Sequence, residues 1–353
     1  MLEDTLKKAV GLGASDIMII AGLPVTYKIN GMLERQGAAR LIPEDTKSLC
    51  GEVYRLASGR SMEQLLRTGD DDFSFSVPGL ARFRVNALKQ RGSLGLIIRV
   101  VTFELPDRKS LGIPDAVIEL TRRPRGLVLV TGTAGSGKST TLACMVDEVN
   151  RTRNTHIITI EDPIEFLHQH KMSIVTQREV STDTQSYDVA LRSALRESPD
   201  IILLGEMRDA ETIRAAMTAA ETGHLVISTM HTMGAAGSID RIVDAFPPPQ
   251  QHQIRTQLAQ VLEGVVSQQL LPGTDGGLVP VFEIMSVSPA IRNMIREGKN
   301  HQLDAAIASD SGMQSMDRAI LALVREGRVE RSEALSRAAD TAWLEKRLAG
   351  QSF

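Results

Sequence analysis

An octapeptide near the middle of the chain, Gly132-Thr133-Ala134-Gly135-Ser136-Gly137-Lys138-Ser139, fits the pattern G-x-x-x-x-G-K-[ST]. The apolar run 127–130 precedes it and the helix-like run 140–149 follows it, which is the strand–loop–helix context that the pattern requires. Glycines let a backbone fold closely around an anion, and the free amides at the start of a helix bind it. The sequence therefore predicts a nucleotide site, the alternative being an ordinary glycine-rich turn.

The residue types inside this loop predict a division of labour. Lys138 should reach the β- and γ-phosphates of the nucleotide, and the Ser139 hydroxyl should hold Mg²⁺. The backbone of the remaining positions supplies the cradle. The residues predicted to bind the nucleotide here are Gly132, Thr133, Ala134, Gly135, Ser136, Gly137, Lys138, Ser139 and Thr140.

The composition is that of a soluble globular protein with room for about two domains in its 353 residues. Lys and Arg number 40 and Asp and Glu 43, which gives a net charge of −3. A surplus of basic residues, as needed to bind a phosphate backbone along its length, is therefore missing. These numbers exclude a small disulfide-rich peptide and argue against disorder and against nucleic-acid binding.

The two cysteines, Cys50 and Cys144, do not suggest a disulfide framework or a four-cysteine zinc site. The first eight residues begin with the acidic pair Glu3-Asp4 where a secretory signal would be basic. The longest apolar stretches, such as 17–25, fall far short of the ~18 residues expected of a membrane span. We therefore expect a cytoplasmic protein whose role at a membrane would come through a partner and not through insertion.

Hydrophobic patterning changes along the chain and predicts two domains. Residues 1–105 carry alternating runs such as 81–87 and a hairpin signal at Asn30-Gly31, which indicates a small α+β domain. Residues 106–118 hold prolines and charges and are the predicted linker. In residues 119–353, short continuous apolar runs alternate with helical segments, which favours an α/β domain with a parallel sheet followed by C-terminal helices.

Glu206 follows the apolar run 201–205, so its carboxylate should emerge at the carboxyl edge of a buried strand, where open α/β sheets bind ligands. There it could polarise an attacking water. Gly205 stands where an Asp that holds the metal is usual, so the acidic segment 161–165, with Glu165, is the candidate source of the metal's outer carboxylate. Taken alone, Glu206 fits a solvated strand end better than a catalytic residue, and it is the phosphate loop that favours catalysis.

His224 and His231 flank the predicted strand 225–229. Both could sense the γ-phosphate through charge-assisted hydrogen bonds, with His224 as a binding residue and His231 as a catalytic one. A zinc site and two ordinary packed histidines remain the alternatives, since no cysteine lies nearby.

Two arginines in the first domain are predicted to face each other. If Arg91 and Gly92 form a two-residue turn, antiparallel pairing places Arg84 directly opposite Arg99 on one face. Like charges so placed repel unless an anion lies between them, and the triphosphate of another molecule would be such an anion. Arg82 would be a third member of the patch. A solvated pair, or a different register, is the alternative.

The sequence resembles the secretion-type hexameric ATPases, and within them the retraction ATPases of type IV pili. The resemblance covers nearly the whole chain and rests on four boxes in the family's order, followed by a C-terminal helical box. The boxes are the phosphate loop 132–139, the acidic segment 160–165, the Gly205-Glu206 strand end and the histidine segment 224–231, and the helical box is Ala290-Ile291-Arg292-Asn293-Met294-Ile295-Arg296-Glu297. In similar proteins the helical box is needed for retraction and lies outside the hydrolytic centre. Ser288 and Pro289, which directly precede this box, are typical of a helix start. Arg292 and Arg296 within the box share one helix face.

The resemblance implies a PAS-like α+β N-terminal domain joined to a RecA-like P-loop ATPase domain, with six copies in a ring. It implies hydrolysis of ATP with Mg²⁺, and an inner-membrane platform protein of the PilC type as partner at the cytoplasmic face of the membrane. The arginines would enter the site of a neighbouring copy. The implied catalytic residues are Glu206, Lys138, Arg84, Arg99, Glu165 and His231, with Ser139 and Glu165 toward the metal.

Two other functions stay open. One is an accessory retraction ATPase of the PilU type, a paralogue that could also act as a partner. The other is a nucleic-acid translocase, because RecA-like motors also move DNA; aromatics make up only 3% of the chain, and no basic stripe interleaved with aromatics supports it.

Overall fold

The computed structural model describes residues 2–29, 31–101, 105 and 107–350. Its contacts divide the chain into two compact units, Met1–Leu105 with Glu165–His168, and Pro106–Ile164 with Gln169–Phe353. The segment 165–168, which the sequence analysis places in the second domain, clusters with the first unit. The domain boundaries themselves stay a prediction.

The first unit is a six-stranded antiparallel sheet with helices against one face. Buried side chains of the helices and of alternate strand positions form one core, which includes Val53, Phe83 and Ile98. The opposite face lacks this cover at Arg84 and Arg99, which are exposed. The strand order is β3-β2-β1-β6-β5-β4. The elements are α1 (Leu2–Gly11), β1 (Asp16–Ile19), β2 (Thr26–Ile29), β3 (Met32–Arg35), α2 (Pro43–Leu56), α3 (Glu63–Thr68), β4 (Asp70–Val77), β5 (Ala81–Gln90) and β6 (Ser93–Val101).

The predicted register of the β5–β6 hairpin is confirmed. Gln90 pairs with Ser93, and Arg91 and Gly92 form the turn with φ values of 47° and 81°. Both residues need the left-handed region, as a tight primed turn requires. The other predicted hairpin pairs Ile29 with Met32, while its turn residue Asn30 lies outside the described residues.

The second unit is a seven-stranded sheet in the order β13-β12-β7-β11-β10-β8-β9, parallel except for β13. Its sheet and early helices are α4 (Asp115–Glu119), a 3₁₀ turn (Leu120–Arg122), β7 (Gly126–Thr131), α5 (Lys138–Thr152), β8 (His156–Glu161), β9 (Ile174–Glu179), α6 (Tyr187–Ala194), β10 (Ile201–Leu204), α7 (Ala210–Glu221), β11 (Leu225–Met230), α8 (Ala235–Asp244), α9 (Pro248–Val261), β12 (Leu262–Pro272) and β13 (Leu278–Ser286). The C-terminal helices are α10 (Pro289–Arg296), a 3₁₀ turn (Asn300–Gln302), α11 (Leu303–Ser309), α12 (Met316–Arg325), α13 (Arg331–Arg337) and α14 (Thr341–Ala349).

Both faces of this sheet are buried, which explains why its strands read as continuous apolar runs. Leu127 and Leu129 of β7 pack into one core with α6 to α9. Val128 and Val130 of the same strand pack into a second core with α4 and α5. The predicted α/β class is confirmed.

Some elements differ from the expectation. Part of the predicted linker is α4, whose Val117 is fully buried against the sheet. The edge strand β9 and the long hairpin β12–β13 were not predicted, because neither offers the short apolar run that identifies the central strands. Among the helices that the structure describes, none combines the length and the apolar character that crossing a bilayer would need.

Candidate active site

The parallel register brings three strand ends to one edge of the second unit's sheet. Thr131 at the end of β7 pairs with Met230 at the end of β11, and Leu204 at the end of β10 pairs with Ser228. The segments that follow these strands therefore emerge side by side. They hold the phosphate loop, Glu206 and His231.

The phosphate loop connects β7 to α5, and its glycines are fixed by close packing or by backbone conformation. A Cβ on Gly132 would lie 2.3 Å from the main-chain oxygen of Gln268 and 2.6 Å from Ser136 Oγ. Gly135 and Gly137 have φ values of 75° and 88°, which side chains disfavour. The fold thus requires glycine at the positions that the motif specifies.

Polar groups in the loop are available to an anion. Lys138 is buried, and its Nζ donates to the carbonyls of Gly132 and Thr133, each at 2.8 Å. Ser136 Oγ and Thr131 Oγ1 are buried without a hydrogen-bond partner within the described part of the chain. Buried hydroxyls of this kind normally find one, so these atoms fit a loop that closes around phosphate.

Gln268 of β12 supports the loop and was missed by the sequence analysis. Its Oε1 accepts a hydrogen bond from Thr141 Oγ1 at 2.7 Å, and its main chain touches Gly132. Beside it lies a cavity of about 410 Å³ within the second unit. The cavity is lined by residues that include Ile113, Gly137, Thr140, Leu270, Pro280 and Arg328. No sequence signal points to Gln268, because β12 itself was not predicted.

The Glu206 carboxylate is buried and contacts two side chains, the cationic Arg208 and the ionisable His231. Its Oε1 contacts Arg208 Nη2, and its Oε2 lies 3.3 Å from His231 Nε2. The hydrogen bond to Glu206 raises the pKa of Arg208 above its ordinary value. The structure thus brings together the predicted Glu206 and His231, and it adds Arg208, which the sequence analysis missed although it stands two positions from the predicted base.

Gly205 is required by its packing. A Cβ at this position would lie 2.9 Å from the Tyr187 hydroxyl and 3.2 Å from the main-chain oxygen of Ile160. The metal-holding Asp that is usual here would require Tyr187 and the neighbouring strand to shift. Burial, and next the charge of Glu206, raise the pKa of the Tyr187 phenol, and Asp162 and Glu161 act in the same direction. The charges of these carboxylates therefore act on the Tyr187 phenol together.

Glu165, the acidic-segment residue predicted to act toward the metal, does not belong to the second unit. Glu165 is exposed, belongs to the segment that clusters with the first unit, and makes no hydrogen bond or ion pair in the described structure. Glu161 ends β8, next to the end of β10, because Ile160 pairs with Leu204. Its Oε1 accepts from Thr159 Oγ1 at 2.7 Å. Glu161 is thus the acidic-segment carboxylate at the end of β8, and the role of Glu165 toward the metal stays a prediction.

His224 lies at the opposite edge of the sheet. It precedes β11, and its main-chain oxygen accepts from Gly126 at the start of β7. Its Nδ1 lies 3.0 Å from the carbonyl of Ala219 at the end of α7. Six residues of strand span about 20 Å. His224 and His231 therefore lie at opposite ends of β11 within this unit, and the predicted role of His224 in nucleotide binding stays a prediction.

Arg84 and Arg99 pair directly across β5 and β6, as predicted. The second neighbour of Arg99 is Asp16 on β1, whose Oδ1 lies 3.1 Å from Arg99 Nε. Asp16 therefore supplies part of the negative charge for which the arginine pair was expected to need a ligand. Arg84 has no hydrogen bond or ion pair within the described residues and stays available.

The two arginines of α10 have different surroundings, although they share a helix face. Arg292 Nη1 donates to the carbonyls of Ala259 and Gln260, and its Nη2 lies 3.2 Å from Glu263 Oε1. Because the last carbonyls of a helix lack partners within it, Arg292 caps the end of α9. Among the described residues, Arg296 is exposed and donates from its Nη2 to Asn293 on its own helix.

Taken together, the doubly covered parallel sheet, the glycine loop and the carboxylate at the neighbouring strand end define a P-loop protein of the α/β class. The family described as type II/IV secretion system protein matches residues 1–276. The chain belongs to this family, and the resemblance noted from its sequence is confirmed.

The chain is 47% identical to the type IV pilus retraction ATPase PilT of Pseudomonas aeruginosa, over 92% of this chain and 94% of that protein. It is 44% identical to a twitching motility protein of Neisseria gonorrhoeae, over 88% of this chain and 83% of that protein. A crystal structure of the pilus retraction motor PilT with bound ADP is also similar. It has a TM-score of 0.89 and 47% identity, and the match covers 98% of this chain and 99% of that chain.

The unequal surroundings of Arg292 and Arg296 lead to a stability prediction. We expect Arg292→Ala to lower the free energy of unfolding by about 1–2 kcal/mol, because two carbonyls of α9 lose a charged donor. Arg296→Ala, the matched control one helical turn away, should change it by less than about 0.5 kcal/mol. Urea unfolding followed by circular dichroism measures both, and equal effects would contradict the capping role.

Proposed function

We propose that this protein is a homohexameric ATPase that couples ATP hydrolysis to retraction of type IV pili. The observation that carries the proposal is the junction of the phosphate loop with Glu206 and His231 at one sheet edge. The similarity of the chain to retraction ATPases over nearly its whole length supports the assignment. The cavity beside Gly137 and Thr140 has the size and position for the base and sugar of the nucleotide.

Binding uses groups that are already in place. The loop amides and the Ser136 hydroxyl bind the phosphates. The Lys138 ammonium group exchanges its hydrogen bonds to the carbonyls of Gly132 and Thr133 for hydrogen bonds to phosphate oxygens. The half-buried Ser139 and the acidic segment at the end of β8 would hold Mg²⁺, which neutralises phosphate charge when bound. Within that segment we assign the role of holding Mg²⁺ to Glu161 in place of Glu165.

Hydrolysis requires Glu206 to orient or deprotonate the attacking water. In the structure, Arg208 contacts one oxygen of this carboxylate and His231 contacts the other. Release of Arg208 would free one oxygen for water, while His231 keeps the other in position. Arg84 and Arg99 of a neighbouring copy would stabilise the charge on the transferred phosphoryl group. Loss of that phosphate removes the anion that they bind, which is how phosphate-gated switches change state.

The catalytic role of Glu206 predicts a separation of binding from turnover. We expect Glu206→Gln to bind ATP with unchanged affinity while ATP turnover falls by about a hundredfold or more. Glu211→Gln, the same change at an exposed position of α7, is the control and should keep full turnover. Phosphate release and binding of a fluorescent ATP analogue measure the two properties, and near-normal turnover of Glu206→Gln would refute the role.

The trans role of the arginines predicts rescue by mixing. We expect Arg84→Ala with Arg99→Ala to reduce turnover by about a thousandfold, and Lys89→Ala on the same strand to leave it unchanged. Subunits with the arginine changes, mixed with Glu206→Gln subunits, should recover activity, because intact sites form where a complete loop meets complete arginines. No recovery in mixtures shown by native mass spectrometry to contain both variants would contradict the shared site.

The cellular function predicts a specific phenotype. A strain lacking this protein should carry many pili and show no twitching, because pili assemble and are not withdrawn. Wild-type complementation should restore movement, and Glu206→Gln complementation should not. Electron microscopy and surface-motility plates measure both traits. Bald cells would indicate an extension motor, and unchanged twitching would leave at most an accessory role.

A further inference from the structure

The turn that carries His231 leads into a helix that does not cap itself. Residues 231–234 connect β11 to α8, and the N-cap of α8 is Gly234, which has no side chain to accept from the first amides. Those amides have no partners within a helix, and a buried helix start without acceptors is costly. The acceptors must therefore come from elsewhere in the fold.

These acceptors come from the β12–β13 hairpin. Ser267 Oγ of β12 accepts from the Gly234 amide at 3.0 Å, and Glu283 Oε1 of β13 accepts from the Ala235 amide at 2.9 Å. Ser267 and Glu283 are directly opposite each other in the antiparallel register. Both are buried, with 1% and 8% of their surface exposed. We refer to these two side chains as the hairpin clamp.

Glu283 holds a second helix as well. Its carboxylate also accepts from the backbone amide of Met316, the first residue of α12. Like α8, α12 has no side-chain cap of its own, since Ser315 makes no capping hydrogen bond. One buried carboxylate therefore lies between two helix N-termini, where a negative charge is stabilised by both helix dipoles. Burial raises the pKa of Glu283, and the two amide bonds act against that rise.

The hairpin clamp holds the turn that sets the distance between His231 Nε2 and Glu206 Oε2. From the Gly234 amide the chain has only Met233 and Thr232 before it reaches His231, whose Nε2 lies 3.3 Å from Glu206 Oε2. Thr232 Oγ1 is 2.7 Å from Ser238 Oγ, and Ser238 donates to the Gly234 carbonyl at 2.7 Å. The turn is thus stiff, so that a shift of its anchored end is passed to the imidazole.

We propose that Glu283, with Ser267, is a positioning residue for ATP hydrolysis that acts on Glu206 through His231. The inference rests on the proposed function, because it assigns a role within that same site. It also links the site to the C-terminal region: β13 carries Glu283 and leads directly into α10, and α12 begins at the other side of the carboxylate. A displacement of that region relative to α8 would therefore change the hold on the His231 turn.

The test is Glu283→Gln, which keeps the shape while the amide group offers a single acceptor oxygen for two amides. We expect kcat for ATP to fall by about tenfold with KM changed by less than about twofold, since misplacement of a catalytic group affects turnover more than binding. Asp340→Asn is the matched control, because Asp340 caps α14 through the Trp343 amide and lies outside the site. It should leave both constants unchanged.

A double-mutant cycle with His231→Ala separates positioning from general destabilisation. If Glu283 acts through His231, Glu283→Gln should cause no further loss of kcat in the His231→Ala background. Should Glu283→Gln fail to fold, Ser267→Ala replaces it in the same cycle. Full kcat in the variant, or losses that multiply in the double variant, would overturn the inference while the ATPase function stands. An inactive wild type would overturn the proposed function itself.

Discussion

The parallel pairing of β7, β11 and β10 is the constraint on which the candidate site depends. Parallel strands end at a common edge, so three segments that are far apart in sequence emerge together. The same pairing sends His224 to the other edge, although only six residues separate it from His231. Leu127 and Leu129 fill one core and Val128 and Val130 the other, so a one-residue slip of β7 would exchange the side chains of two differently packed cores.

Within that frame the chemistry of Glu206 is set by a competition for its two oxygens. A carboxylate that is buried and unpaired would be costly, and Arg208 and His231 remove that cost. Arg208 is mostly exposed, with 68% of its side-chain surface accessible, so it can leave without breaking a core. His231 is anchored through its turn. The asymmetry between a movable cation and a fixed imidazole lets one oxygen become available while the carboxylate stays in place.

The sequence was sufficient where chemistry and local pattern coincide. The phosphate loop, the strand before Glu206 and the Arg84–Arg99 register follow from spacing and turn rules alone. It failed where a residue's role comes from distant packing. Glu165 and Glu161 are four residues apart, and only the tertiary structure shows which one lies at the end of β8. Gln268 and Asp16 act on residues more than eighty positions away, a relation that no periodicity encodes.

The C-terminal region repeats one physical device at two places. Arg292 supplies donors to the end of α9, and Glu283 supplies acceptors to the starts of α8 and α12, so helix ends are completed by charged side chains from other elements. Each charge has the sign that the helix dipole favours. Such contacts are specific in direction and are lost together when two elements separate. Because Glu283 contacts the starts of both α8 and α12, a displacement of β13 relative to either helix would break a specific hydrogen bond at that helix start.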